Sequence, residues 1–408
     1  MNVKIRRIAS DTAPYLSGAF AILLAIAIVS SPESSFQASL RGLKLWWNLV
    51  FPALLPFLIL SEMLTASGFT HGLGVMLEPL MRRVFRLPGA GGWTLWMGLT
   101  TGFPGGAQGV LQLHKQGSIT DKEAGRLAAL VHFASPVTLL IVVGVAFLHS
   151  PAAGYGLLAI HWLSGLLVGF TVPLLRGSPQ APEQKIYVQS NSPNKKPLYT
   201  RVVHAATEAR LQDGRSFGKL LGDSVGSSVQ NLMIVGGYMI MFAVVISIVQ
   251  GLLPDLPEIL TSGLLEIHLG AHTLSEVSIT APVASAGMFS LALLSAALGW
   301  SGLCAHLQVM TVLKSAQIRF LPFAAVRLLH GLYAFILTLV LWRPFMSIQE
   351  AVLPTFASPE TAQAGWIRFS TVWSSIPSLF GLQFLLMLSL LMLSAVIAAV
   401  TFFRRRFD

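Results

Sequence analysis

Apolar residues arrive along this chain in unbroken blocks of about 20, the length a helix needs to cross a hydrocarbon core roughly 30 Å thick. The blocks are continuous rather than alternating, so they predict helices and not barrel strands. In chain order they run over Pro14 to Val29, Leu43 to Ser67, Leu127 to His149, Gly154 to Leu175, Val229 to Gln250, Val277 to Leu303, Phe320 to Trp342 and Ser378 to Phe403. Two further stretches, Gly72 to Arg86 and Leu256 to His272, are amphipathic. Another, Gly89 to Leu113, is apolar but interrupted by Gly102-Phe103-Pro104-Gly105-Gly106. The expectation is an all-α, polytopic helical membrane protein with about eight to ten membrane-embedded segments.

The polar positions refine that picture. Arg82, Arg83 and Arg86 precede the interrupted stretch, and Lys115, Lys122 and Arg126 follow it. Basic residues favour the cytoplasmic face, so the stretch is predicted to enter and leave on one side as a re-entrant hairpin. From Arg176 to Lys219 there are eight Lys or Arg against Glu183, Glu208 and Asp213, with four prolines, which reads as a cytoplasmic tether carrying a short helix near Val202 to Leu211. The resulting division is 1–31, a retained signal-anchor helix with its N-terminus in the cytoplasm; 32–175, a first membrane repeat; 176–228, a basic linker; and 229–408, a second repeat.

Local words hint at that repeat. Leu77-Glu78-Pro79 precedes the first glycine-broken segment, and Leu265-Glu266-Ile267 precedes a second, which carries Gly299-Trp300-Ser301-Gly302. Between Gly251 and Glu276 stand Asp255, Glu258, Glu266 and Glu276 with no Lys or Arg, opposite in sign to the matching first-half stretch. Two inverted repeats with glycine-broken re-entrant or discontinuous helices are the pattern of many carriers. Treating both broken segments as re-entrant would put Arg404-Arg405-Arg406 outside, so either the second crosses fully or the tail departs from the charge rule.

Composition agrees: 54% of the 408 residues are hydrophobic and 11% charged, against roughly 25% charged in soluble domains. The net charge of +10 is assigned to loops that hold orientation against the lipid bilayer, not to nucleic acid. A single cysteine, Cys304, excludes an intrachain disulfide and a multi-cysteine metal site. His71, His114 and His132 form no local helical pair, and neither a metal nor a cofactor is expected. Zinc-protease, phosphate-loop and nucleophile-elbow motifs are missing, so no enzyme is expected.

The candidate chemistry lies at the breaks. Paired glycines and a proline cannot run through an undistorted helix, and the freed backbone groups cannot face lipid. At Thr100-Thr101-Gly102-Phe103-Pro104-Gly105-Gly106-Ala107-Gln108 a half-helix N-terminus would offer N–H groups to an anion, with Thr100, Thr101, Gly105 and Gln108 beside them. The alternative is a packing kink. Ser301, Gly302 and His306 form the partner break, and His132 and Ser135 before Pro136 a third, which an ordinary serine-patched proline kink explains equally well. Glu62 either carries a coupling proton or lies near the end of its span. Arg327 and His330 are expected to snorkel, His161 to be packed inside, and Glu78 and Glu266 to lie at interfaces.

Residues Gly42 to Phe57, with Trp46-Trp47-Asn48 and Phe51-Pro52-Ala53-Leu54-Leu55-Pro56, then Leu77-Glu78-Pro79-Leu80-Met81-Arg82 and Gly102-Phe103-Pro104-Gly105-Gly106-Ala107, resemble the sporulation integral membrane proteins of endospore-forming bacteria, which contain the nucleoside-recognition, or Gate, domain. The resemblance covers most of the chain, from Pro32 to Trp342. It implies transport of a small, anionic substrate during spore formation: a described member moves dipicolinic acid across the outer forespore membrane, and other Gate proteins imply nucleosides or other small solutes. It also leaves open homo-oligomers, other sporulation membrane proteins as partners, and a non-transporting scaffold that works through the loop 176–219. The family motif resembles Gly-Tyr-Pro-x-Gly-Ala-Lys, from which Phe103 and Gln108 depart. Losing that lysine weakens the implication of a dianionic substrate.

Overall fold

A computed structural model describes Tyr15 and residues 18–175, 197–280, 284–352 and 369–407. Residues 1–14, 16 and 17 of the expected signal-anchor segment and residues 176–196 of the expected tether lie outside the described residues. Every regular element among the described residues is a helix, as the continuous apolar blocks require. Six of them are long and apolar enough to cross a membrane: Pro32–Ala66, Pro151–Leu174, Phe217–Leu252, Gly287–Val312, Phe320–Ser347 and Gly381–Val400.

A short helix, α1 (Gly18–Ser30), precedes α2 (Pro32–Ala66). Prolines 52 and 56 remove two backbone donors from α2, and the helix widens into a π-turn at Trp46–Val50. It packs on α10 (Phe217–Leu252) where glycine lets the backbones approach. A Cβ on Gly42 would stand 3.1 Å from the Ile240 Cα, and one on Gly236 would run into the Trp46 ring. Trp46 Nε1–H donates to the Leu232 carbonyl at 3.0 Å, which fixes the register of this pair.

Next come α3 (Phe69–Arg83), α4 (Gly91–Thr101) and α5 (Phe103–Lys115). With 11 and 13 residues, at about 1.5 Å per residue, α4 and α5 are each too short to span the core. They fold back on each other. Gly106 sits against the Gly98 Cα, and Gly109 against Thr94 and Met97, so the expected re-entrant hairpin is present with its tip at Gly102. α6 (Asp121–Leu130) opens with a capping box between Thr120 and Glu123 and ends at an unwound segment, 131–135. α7 (Thr138–Phe147) is a π-helix, apolar after Thr138 and buried in the core, closed against α8 (Pro151–Leu175) by Gly144 on Gly154.

The second half runs from α9 (Leu198–Asp213) through α10, α11 (Glu258–Leu265), α12 (Ile267–Thr280), α13 (Ala284–Trp300), α14 (Gly302–Val312) and α15 (Phe320–Val352) to α16 (Phe369–Phe407). The helix expected near Val202 exists but is no free arm. It packs on α3, where Arg201 is paired with Glu78. α10 begins at Phe217, ahead of the apolar block at Val229 and inside the expected linker; its first turns are largely exposed, and Ser227, Ser228 and Asn231 further along it line a cavity. α11 and α12 form a second hairpin with its tip at Glu266, closed by Gly270 against the Gly263 backbone. α13 and α14 do not pack on each other as the hairpins do. Ser301 and Gly302, both at positive φ (69° and 77°), bend a helix that continues as one candidate span. Of the two readings of this break, full crossing is therefore the one the structure supports. Each half thus contains a long helix, a hairpin, an interrupted helix and another long helix. α16 follows the second set and ties onto α3, Ser394 Oγ–H donating to the Met76 carbonyl at 2.6 Å.

Candidate functional site

Four chain breaks, two from each half, converge on one region. The first hairpin tip is pressed onto the unwound segment of the interrupted helix beside it. Gly102 has φ +82°, and a Cβ there would lie 2.9 Å from the Ser135 amide nitrogen. Phe103 stacks on the His132 ring at 5.0 Å between centroids. The second tip meets its own neighbour in the same way, since a Cβ on Gly302 would lie 3.0 Å from the Ile267 nitrogen.

The halves then meet through side chains. His132 Nε2 and Ser301 Oγ are 2.7 Å apart. The Ser301 hydroxyl donates to the Trp300 carbonyl, so the imidazole N–H is the donor to Ser301. His306 Nε2–H also donates to the Trp300 carbonyl, at 2.7 Å. Behind this contact lies Arg327, 2% exposed. Its guanidinium donates to the Gly299 carbonyl at the end of α13 and to the Ala129 carbonyl at the end of α6. A helix C-terminus carries unpaired carbonyls and partial negative charge, so one cation binds both interrupted helices. His161 Nε2 accepts the Ala134 N–H at 2.9 Å, and His330 Nε2–H donates to the His161 carbonyl at 3.0 Å. Arg327 and His330, expected to snorkel, are instead buried fasteners of the unwound backbone; His161 is packed inside, as its sequence position suggested.

Beside this fastened core is a cavity of ≈ 500 Å³. Its buried end is formed by Gly102, Phe103, Ser135 and His268, which come from both hairpins and from the first interrupted helix. Hydroxyls and amides cover its walls: Thr101, Gln108, Gln112, Thr138 and Asn231, with Gln108 Nε2 donating to Asn231 Oδ1 at 3.0 Å. Glu62, Asp213 and Arg215 line it where α2, α9 and α10 come together. Arg215 contacts Asp213 at 2.7 Å, Asp223 at 3.3 Å and Glu62 at 3.8 Å. Hydrogen bonding to this guanidinium holds the Asp213 carboxyl below its ordinary range, so the α9–α10 turn stays clasped at neutral pH.

The cavity brings together Thr101, Gly102, Gly105, Gln108, Ser135 and Glu62 from the candidates read in sequence. Thr100 bonds backwards to the Trp96 and Met97 carbonyls. His132, Ser301, Gly302 and His306 sit in the fastening behind the cavity. Sequence reasoning missed His268 and its partner Glu266. Glu266 is no interface residue but a buried carboxylate, 1% exposed, at the second hairpin tip. Its signal was the pair Gly263 and Gly270, whose close approach marks the hairpin around it. Glu78 is where it was expected, in surface ion pairs with Arg82 and Arg201.

Residues 48–152 match the family model described as Gate, nucleoside recognition. Over 350 residues, 81% of this chain and 83% of the relative, the sequence is 37% identical to the sporulation integral membrane protein YlbJ of Bacillus subtilis (strain 168). The chain belongs to this family of sporulation integral membrane proteins. The Gate match runs from the π-turn of α2 through the first hairpin and α7 into the start of α8, so it contains the first-half side of the cavity. In this YlbJ-like chain the second hairpin and the Ser301 bend lie beyond the Gate match yet complete the same site. No solved structure matches the chain.

Proposed function

We propose that the protein moves a small polar organic solute across the membrane, with nucleosides the first solutes to test and dipicolinic acid the second. The supporting observation is the cavity whose buried end is built from the two first-half breaks, at Gly102 and Ser135, and from His268 of the second hairpin. A lipid-facing kink has no reason to gather hydroxyls, amides and two hairpin tips around a hollow. At the start of α5, the N–H groups of Phe103 and Gly105 lack an intrahelical partner by position and lie beside the cavity with Thr101. A carboxylate on a planar ring fits this corner, and the amides of Gln108, Gln112 and Asn231 suit the edge of a base. Arg215 is the only Lys or Arg among the described lining residues, and three acids, Asp213, Asp223 and Glu62, share it, so a solute with little net charge suits the entrance better than a dianion.

The repeated element order supports reading the halves as inverted copies, the arrangement that lets one cavity open to either side in turn. Burial of Glu266 leaves Asp255, Glu258 and Glu276 as the surface acids behind the charge argument. Placement in the outer forespore membrane rests on the family resemblance. A scaffold role through the tether is narrower than the sequence suggested, because α9 and Arg215 belong to the cavity wall.

Purified protein in liposomes should accumulate dipicolinate or a nucleoside such as uridine. Thr101→Val and Gln108→Leu should each lower initial uptake about tenfold, the equivalent of one hydrogen bond of about 1.4 kcal/mol, while inserting normally. Undiminished uptake in both variants would remove these residues from the site.

A further inference from the structure

Glu266 is costly where it stands. A carboxylate buried to 1% exposure in a membrane protein is rare unless it is used. It occupies the extended residue between α11 and α12 (φ −140°, ψ 123°), where its Oε2 accepts the Leu269 N–H at 2.8 Å. Its Oε1 accepts from His268 Nδ1 at 2.9 Å. His268 is itself 4% exposed and lines the buried end of the cavity. With Nδ1 committed to Glu266, Nε2 is the ring atom left for the cavity. The carboxylate is therefore sealed from the cavity except through one imidazole.

Capping a helix start does not require this arrangement. Serine, threonine or aspartate caps without burying a long acid, and none needs a histidine relay. Glu62, the coupling residue suggested by sequence, lies on the other side of the cavity, 3.8 Å from Arg215, which Asp213 and Asp223 approach more closely.

Resting on the transport reading above, we propose that Glu266 and His268 form the proton-binding site that couples this protein to a proton gradient. A proton arriving from the cavity adds to His268 Nε2 as the Nδ1 proton passes to Glu266 Oε1. The imidazole is neutral before and after, in exchanged tautomers, and the carboxylate has become a carboxylic acid. One proton is bound and one negative charge is lost at the second hairpin tip. The loss weakens the bond to the Leu269 N–H, because a charged acceptor is the stronger one. The same tip carries the Leu265 and Ile267 backbone on which Gly302 rests, next to Ser301 and its bond to His132. Protonation thus acts on the contact that joins the halves.

The groups around Glu266 leave the role to it. Cys304 of α14 faces it, and His306 of the same helix is bound to the Trp300 carbonyl. α13 and α7 contain no titratable side chain. On α10, Tyr238 bonds Thr311, Asp223 bonds Arg215, and Lys219 lies in the first turn. Glu258 begins α11, eight residues away along the chain, and His272 pairs with Glu276 further along α12.

Two measurements test this. In proteoliposomes, Glu266→Gln keeps a capping oxygen but cannot take up a proton. It should abolish the stimulation of dipicolinate or uridine uptake by an imposed pH gradient and preserve exchange of labelled for unlabelled solute, whereas Glu258→Gln, at an exposed acid of the same hairpin outside the cavity, should retain the stimulation. Gradient-stimulated uptake persisting in Glu266→Gln would overturn the assignment, while absence of any flux in the unaltered protein would overturn the transport reading instead. Independently of any solute, infrared difference spectra of the purified protein between about pH 5 and pH 8 should show a buried carboxylic-acid carbonyl band that Glu266→Gln removes and Glu62→Gln leaves. If that band is absent, or survives in Glu266→Gln, the proton site is refuted even if transport is observed.

Discussion

Replacing Gly102 by alanine should destabilise the protein by about 2 to 6 kcal/mol and abolish solute uptake. Two effects add. Backbone with positive φ and ψ near 180° is open essentially only to glycine and costs another residue about 1 to 3 kcal/mol, and Gly102 has φ +82° and ψ −168°. The new Cβ would also stand 2.9 Å from the Ser135 nitrogen and 3.2 Å from the Phe133 oxygen. Both are backbone atoms of a segment held by His161 and Arg327, and overpacking at so rigid a place costs about 1 to 3 kcal/mol. Gly117→Ala is the control. Its φ is +67° and nothing stands within 4 Å of a Cβ, so only the backbone contribution, about 1 to 2 kcal/mol, applies. Thermal unfolding of the two variants in detergent separates the contributions; equal losses would mean that the hairpin tip is not clamped against 133–135.

The second large effect belongs to Arg327. Replacing it with alanine leaves the carbonyls that end α6 and α13 without their cation and opens a void in the region where both halves meet. Hydrogen bonds to a charged group contribute about 1.5 to 3 kcal/mol each. Relief of guanidinium desolvation offsets part of the loss, so a net destabilisation of about 3 kcal/mol is expected, with uptake lost. Arg327→Lys should recover only a fraction of it. An ammonium is a compact point charge, whereas the guanidinium fork reaches Gly299 and Ala129 together. Melting temperatures ordered native, lysine, alanine are the expected series. A lysine variant as stable as the native protein would show that bridging two helix ends is not what Arg327 contributes.

How much of this was legible in the sequence differs by element. Long helices were, because about 20 consecutive apolar residues have few other solutions. So was the first hairpin, where glycine, proline and two more glycines stop a helix outright. The second hairpin was not. Its tip is Glu266 in ordinary extended backbone, a conformation that any residue adopts and that leaves no compositional mark. Leu265-Glu266-Ile267 was therefore matched to the Leu77 region, although in the fold it is a hairpin tip like Gly102. Ser301 was recognised as a break, but whether its segment crosses fully was left open, since a serine at positive φ is indistinguishable in sequence from any other serine. Arg327 and His330 lie close enough to the start of α15 to suggest snorkelling. Only the three-dimensional arrangement shows two helix ends waiting for a cation there. Within the site, Thr101, Gln108 and Ser135 were found because they border recognisable breaks. His268 and Asn231 sit on helices that look uninterrupted or merely amphipathic when read alone.

The bond between His132 and Ser301 joins residues 169 positions apart, and that between Arg327 and Ala129 spans 198. While the ribosome is still making the second half, the inserted first half holds an unwound strand of backbone with His161 in place but with Ser301 and Arg327 missing. Such a strand is tolerated only when protein or water covers it. Completion of this part of the fold therefore waits on synthesis of α15.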